Sequence, residues 1–445
     1  MYQFPKDLYC DVRIEETYNT SYFVQNDNVE TDFATTETGA MIRVYDGTMW
    51  YTGNTNDMDG IQKEIDNLAS LATPNPDILK DPTVAAYEVN KATVLSFTGE
   101  KDLRNITREQ RIGLVQHYID TCVDDSIPEQ KMYMSFLRTY YRKKQFYSSL
   151  GSEIVQDYQH CNCGTFYAFV VNDIPSEGYK IFAGLTFDKL LNHEKELIEE
   201  RDRYLDYAKN AVDVVPGNYT CVLAPTATAI FTHESFGHKS EADFMLNDKT
   251  LQDEWVMGKK VGNEKVSICD NGALLNNGYT PYDDEGTKAR ETWLIKDGVL
   301  TGRLHDAYSA TTLKEELTGN SRAQNYACSP LVRMTNTFMA AGTDDPEDMI
   351  KGVADGIYVY EVSGGTGMST FTITPTLCYR IRDGKLAEPL RVHVITGNVF
   401  QTLFDIDAVG TDFILYDHAE CGKGPQSAAV SIGGPTIRVK TLTVN

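Results

Sequence analysis

The chain of 445 residues is short of positive charge: 41 Lys and Arg stand against 64 Asp and Glu, a formal net charge of −23. Neutralising a phosphate backbone takes clustered cations, so this balance argues against nucleic acid as a partner. Apolar runs of membrane-spanning length are lacking too, and no membrane partner is expected. Met1-Tyr2-Gln3-Phe4-Pro5-Lys6-Asp7 has neither a basic n-region nor an apolar h-region, so the expected location is cytoplasmic. The nine cysteines are an odd number, scattered from Cys10 to Cys421, which fits free thiols in a reducing compartment better than a disulfide framework.

Several ligand motifs are incomplete. Ser363-Gly364-Gly365-Thr366-Gly367-Met368-Ser369 is glycine-rich but has no Gly-Lys-Ser/Thr, so it reads as a tight turn or a wall approached by substrate backbone rather than a phosphate loop. Asp283-Asp284-Glu285-Gly286 lacks the spacing of a calcium hand. His160-Cys161-Asn162-Cys163 has no matching second pair and reads as a strand edge, not a zinc knuckle.

What is present is an ordinary globular composition, 41% hydrophobic and 24% charged, in a chain long enough for two domains. Alternating polarity between Tyr9 and Tyr51, punctuated by turns such as Asp46-Gly47, predicts an antiparallel meander of short strands. Ile61 to Ala69 and Arg108 to Cys122, the latter behind a Thr107 cap, repeat apolar residues at helical spacing. Tyrosine-rich runs between Met132 and Leu185 predict more strands, and Phe187 to about Val212 a long charged helix. Beyond it, Trp293 to Leu300 and Cys378 to Lys385 each read as two strands about an Asp-Gly turn. The expected class is α+β: an N-terminal sheet-plus-helices scaffold over residues 1–200, and over 201–445 a mostly antiparallel β domain that carries the chemistry.

That chemistry centres on Thr232-His233-Glu234-Ser235-Phe236-Gly237-His238. Two neutral imidazoles and an adjacent carboxylate are what a hydrolytic zinc centre requires, as ligands and as proton acceptor. The spacing is one residue longer than His-Glu-x-x-His. In a regular α-helix, at about 100° per residue, His233 and His238 would diverge by about 140°. A local π-turn, at about 80° per residue, reduces this to about 50° and lets both rings reach one ion. The sequence therefore predicts a distorted helix from Thr226 to about Leu246, capped by Thr226 or Thr228 after Pro225, with Gly237 supplying backbone freedom. A third protein ligand is needed. Glu241 and Asp243 are close in sequence; His305, His393, His418 and the cysteines are distant, and the residues alone do not choose among them.

His233-Glu234-x-x-x-His238, followed by Glu241 and Asp243, resembles the signature of the TldD/PmbA family of metallopeptidases. Cys421-Gly422-Lys423, Asp284-Glu285-Gly286, Gly298-Val299-Leu300 and Arg333-Met334-Thr335-Asn336-Thr337 resemble further family motifs in the family's order, most densely from Tyr219 to Asn445. The resemblance implies a zinc site of His233, His238 and Cys421 with Glu234 as general base. It also implies peptide hydrolysis in a cavity enclosed by two chains, the partner being a second copy or a paralogue. A metal-free, non-catalytic member of such a pair is the alternative reading, and the presence of all four site residues opposes it. Glu241, Asp243 and His418 are the candidates to support the ligands, His418 by competing for the metal or bonding the thiolate.

Overall fold

The protein is described here by a computed structural model covering residues 2–445. Strand outweighs helix, 45% against 24%, in the expected α+β mixture. Tyr9–Gln25, Asn28–Tyr45 and Trp50–Thr55 form the meander. Its first two strands run to 17 and 18 residues, longer than the sequence predicts. The cause is tertiary: Tyr9–Gln25 is paired on its other side with Gln130–Ser148, so ladders on both sides hold residues whose own pattern is weak. Glu153–Val171 continues the sheet, and Lys91–Val94 and Ile174–Gly184 share its far side. His160, Cys161 and Cys163 thus lie in an interior strand, not at an edge. Both thiols enter the apolar core, while His160 meets the Tyr158 hydroxyl at 3.0 Å.

Three helices pack on this sheet: the expected Ile61–Leu71 sets Ile61, Ile65 and Leu68 against Val12, Ile42 and Val44, and two more lie further along it. Arg108–Cys122 starts where its cap predicts: Thr107 Oγ1 accepts from the Gln110 amide at 3.2 Å, and Gln110 Oε1 accepts from the Thr107 amide at 2.9 Å. The expected helix from Phe187 splits into a 3₁₀ turn, Phe187–Leu190, and an α-helix, Glu194–Asn210. Between them Asn192 takes a left-handed φ of 66°, and the Tyr118 hydroxyl bonds the Leu190 carbonyl. Leu197 and Tyr204 of Glu194–Asn210 pack with Val115, Tyr118, Leu137 and Phe169, and the helix is unbroken across residues 200 and 201.

The second half builds two sheets around the helix that carries His233. One has six strands, ending in the hairpin Ile414–Lys423 and Gln426–Gly434, with Ile414–Lys423 on the edge. In the other, Asp355–Gly367, Gly217–Leu223, Ile437–Val444, Ile395–Asn398 and Thr370–Arg382 pair in succession. The last returns to the first, closing a ring. Most pairings are antiparallel, as expected. The two predicted turns are Asp297-Gly298 and Asp383-Gly384, each with positive φ at both residues, the twist that suits a two-residue hairpin. Leu223, Phe231, Phe236, Phe371, Val430 and Ile432 join helix and both sheets in one apolar cluster.

A polar seam ties the halves together. Lys144 of the N-terminal sheet pairs with Asp284; Arg13 lies 3.8 Å from the same carboxylate, and Arg43 3.7 Å from Glu285. All five side chains are buried.

Candidate metal centre

The strand Gly217–Leu223 feeds the site helix through Ala224 and Pro225. Proline at the first helical position is pre-set for the turn and leaves one fewer amide to satisfy. The helix has no side-chain cap, contrary to the sequence expectation. Thr226 Oγ1 instead donates to the Tyr360 carbonyl at 2.9 Å and Thr228 Oγ1 to the Leu223 carbonyl at 3.4 Å, both seaming the helix to neighbouring strands.

Pro225–Thr232 is α-helical and His233–Gly237 is a π-turn, with the His238 amide donating to the His233 carbonyl five residues back. The predicted widening is therefore present. The expected continuation to Leu246 is interrupted: after the 3₁₀ turn His238–Ser240, Glu241 is extended, because its neighbours bond Leu304 (Leu304 N to Ser240 O, 2.9 Å; Ala242 N to Leu304 O, 3.0 Å). Gly237 has an ordinary helical φ of −58°, so freedom is not its role. A Cβ there would run into the Met334 sulfur; the glycine is required by close packing. Gly367 of the glycine-rich hairpin plays a similar part, since its Cβ would meet the Glu234 carbonyl oxygen at 2.9 Å. These glycines end the strand Asp355–Gly367, paired with Thr370–Arg382, so the expected tight turn is confined to Met368-Ser369, while Gly365 and Gly367 lie against the site helix.

Cys421 comes from the edge strand Ile414–Lys423, opposite Ala428, in a hairpin closed by Gly424-Pro425 with Gly424 at φ 58°. Buried Arg333 fixes this strand by donating to the Cys421 carbonyl. His233, His238 and Cys421 converge so that their donor atoms all lie within 4.8 Å of one another. The Cys421 Sγ to His238 Nε2 distance is 3.3 Å, close to the roughly 3.5 Å that separates sulfur and nitrogen ligands of one tetrahedral zinc. Two imidazoles and a thiol, with no Lys or Arg ammonium between them, are a donor set that zinc takes.

His238 Nδ1 lies 3.1 Å from Oε2 of the fully buried Glu241, which leaves Nε2 directed at the thiol. The same Oε2 is 3.3 Å from Lys423 Nζ. Lys423 also donates to Asp243 at 2.7 and 2.8 Å and to the Val332 carbonyl at 2.9 Å. The electrostatics follow from these contacts. Burial pushes the Cys421 thiol up, but hydrogen bonds from both histidines outweigh it and bring the thiol down to about 5. Burial pushes His238 down, yet bonds to Cys421 and Glu241 hold it up at about 10. Glu234 is raised above the usual carboxylate range by burial, partly offset by the two imidazoles. Burial raises Asp243 too, against the pull of Lys423.

His418 does not join the cluster. Its ring faces Tyr416 at 6.1 Å and lines a separate groove, so the expectation that it competes for the metal or bonds the thiolate is corrected: three residues from Cys421 on the same strand, it points to the opposite face. His305 is engaged by Ser309 at 3.1 Å and Glu315 at 2.9 Å, away from the centre. Sequence reasoning placed Arg333 and Lys423 in motifs of the family but gave neither a role at the centre. The signal for Lys423 was available: two residues from Cys421 on a strand, it shares that side chain's face.

Fold and centre together define a class, and comparison of the sequence agrees. The PmbA/TldA metallopeptidase C-terminal domain matches residues 216–445 and domain 1 of the same proteins matches residues 10–72; the chain belongs to the TldD/PmbA metallopeptidase family. It is similar to a metalloprotease of Synechocystis sp., 30% identical over 98% of this chain and 94% of the relative. A "Zinc metalloprotease TldD homolog" of Saccharolobus solfataricus is 32% identical over 77% of each chain. Among solved structures, TldE from Thermococcus kodakarensis aligns with a TM-score of 0.77 at 14% identity over 98% of this chain and 96% of its own, a likeness of fold.

Proposed function

We propose that this chain is a zinc peptidase that hydrolyses unfolded or extended peptides. The observation that carries the reading is the meeting of His233, His238 and Cys421 beside Glu234, from segments 183 residues apart. When bound, zinc supplies Lewis acidity, bringing a water's pKa toward neutrality and polarising a peptide carbonyl. His233, His238 and Cys421 hold it in this reading. Glu234, poised above the ordinary carboxylate range by burial, accepts the water's proton and returns it to the leaving amine. Glu241 orients His238, and Asp243 acts on Glu241 through Lys423.

Residues 1–200 serve as scaffold and channel wall and residues 201–445 as the catalytic domain. Ile414–Lys423 is a sheet edge that bears Cys421, so an extended peptide laid along it is held by its backbone, with little dependence on sequence. In this reading the chain works in the cytoplasm, as a homodimer or as a heterodimer with a paralogue of the fold it shares with TldE. The alternative, a non-catalytic partner subunit, has no need of four such residues. An unstructured peptide incubated with zinc-loaded protein separates the two. Cleavage that stops with chelator and falls by at least about 10²-fold in Glu234→Gln, with zinc retained, is the expected result. Undiminished cleavage by Glu234→Gln contradicts the assignment.

A further inference from the structure

Lys423 is buried, yet its ammonium carries four oxygens: Glu241 Oε2 at 3.3 Å, Asp243 Oδ1 and Oδ2 at 2.7 and 2.8 Å, and the Val332 carbonyl at 2.9 Å, with the Phe244 ring 4.1 Å away. These groups come from two separate parts of the centre. Lys423 stands on the strand of Cys421, whereas Glu241 and Asp243 stand on the segment that follows His238. Between Glu241 and the ring of His238 there is a single contact, Oε2 to Nδ1, and Lys423 holds that same oxygen. Among the described residues the other Glu241 oxygen, Oε1, has no partner, so Lys423 is the cation that fixes the orientation of this buried carboxylate towards His238.

We propose that Lys423 is a positioning residue of the metal centre: it ties the Cys421 strand to the His238 segment and, by fixing Glu241, sets the direction of the His238 ring. This rests on the zinc reading above and extends it beyond the three donors. The consequence is a centre preformed before metal arrives, because the two elements that must meet are already joined by a buried ionic clasp. A lysine suits this position because its compact ammonium reaches two carboxylates and a carbonyl at different angles, which a planar guanidinium does not.

The test is zinc affinity, measured on the full chain by competition with a chromophoric chelator, in a double-mutant cycle of Lys423→Met and Glu241→Gln, with thermal unfolding of each metal-free protein alongside. Lys423→Met is expected to weaken zinc binding by about 10- to 100-fold, the usual effect of losing a partner one step removed from the metal. In the Glu241→Gln background the same change is expected to add less than about twofold, because Lys423 acts through that carboxylate. Affinity within twofold of wild type for Lys423→Met, or a loss that simply adds to that of Glu241→Gln, overturns the proposal. Should Lys423→Met fail to fold, Asp243→Asn, which loosens the clasp from its other end, is expected to weaken zinc binding in the same direction, and unchanged affinity there overturns it equally. Wild-type protein that takes up no zinc contradicts the metal centre itself, and the proposal with it; a tight wild type beside an unaffected Lys423→Met contradicts the role of Lys423 alone.

Discussion

At the residue scale, the protons of the centre make zinc binding depend on pH. His238, held up at about 10, must lose its proton to become a ligand, whereas Cys421, at about 5, is already a thiolate at neutral pH. Zinc affinity is therefore expected to fall about tenfold for each pH unit between 9 and 6, with about one proton released per ion bound. Calorimetry in two buffers of different ionisation enthalpy measures that proton, and affinity independent of pH over this range contradicts the assignment. His233, Glu234 and His238 were legible in the spacing of their own motif, whereas Cys421 was singled out among the possible third ligands by the resemblance to the TldD/PmbA family. The roles of Lys423 and Arg333 were not read, since a lysine and an arginine in a strand look like solvated charges until the fold buries them, although the spacing of Lys423 from Cys421 set both on one face.

At the scale of the element, the π-turn is the feature on which the two histidines depend, and it could be reasoned from their spacing because an undistorted helix would set the rings apart. The helix start was misread. Thr226 and Thr228 have the identity of caps, but partners in adjacent strands, invisible in a linear pattern, claim their hydroxyls. Gly237 was misread for the same reason: its cause is the sulfur of Met334, about a hundred residues away in sequence. Gly237→Ala is expected to destabilise the protein by about 1–3 kcal/mol through overpacking, and by less when introduced into a Met334→Ala background, both read from urea unfolding. A Gly237→Ala protein as stable as wild type contradicts the packing account and restores the argument from flexibility.

At the scale of the molecule, the sequence conveyed α+β with its meander, hairpins and capped helix, because those depend on local periodicity and turn chemistry. It did not convey how the halves join. Asp284 and Glu285 stood out as loop residues and as part of a family motif, with no partner indicated, and the cations that receive them, Lys144, Arg13 and Arg43, lie more than a hundred positions earlier in other strands. The seam is buried, and of its cations Arg13 and Arg43 have a second carboxylate, Glu15 and Asp11, whereas Lys144 depends on Asp284. Asp284→Ala is expected to cost about 3–5 kcal/mol in urea unfolding, since Lys144 loses its buried counter-charge, while Arg13 keeps Glu15 at 3.0 Å. A change below about 1 kcal/mol contradicts the view that the seam holds the halves together.

The whole account turns on three donors meeting one ion, and X-ray absorption at the zinc edge of the loaded protein examines that directly. It is expected to show one zinc per chain with a single sulfur at about 2.3 Å and the remaining ligands nitrogen or oxygen at about 2.0–2.1 Å, the sulfur disappearing in Cys421→Ala. A zinc shell without sulfur in the wild-type protein contradicts it.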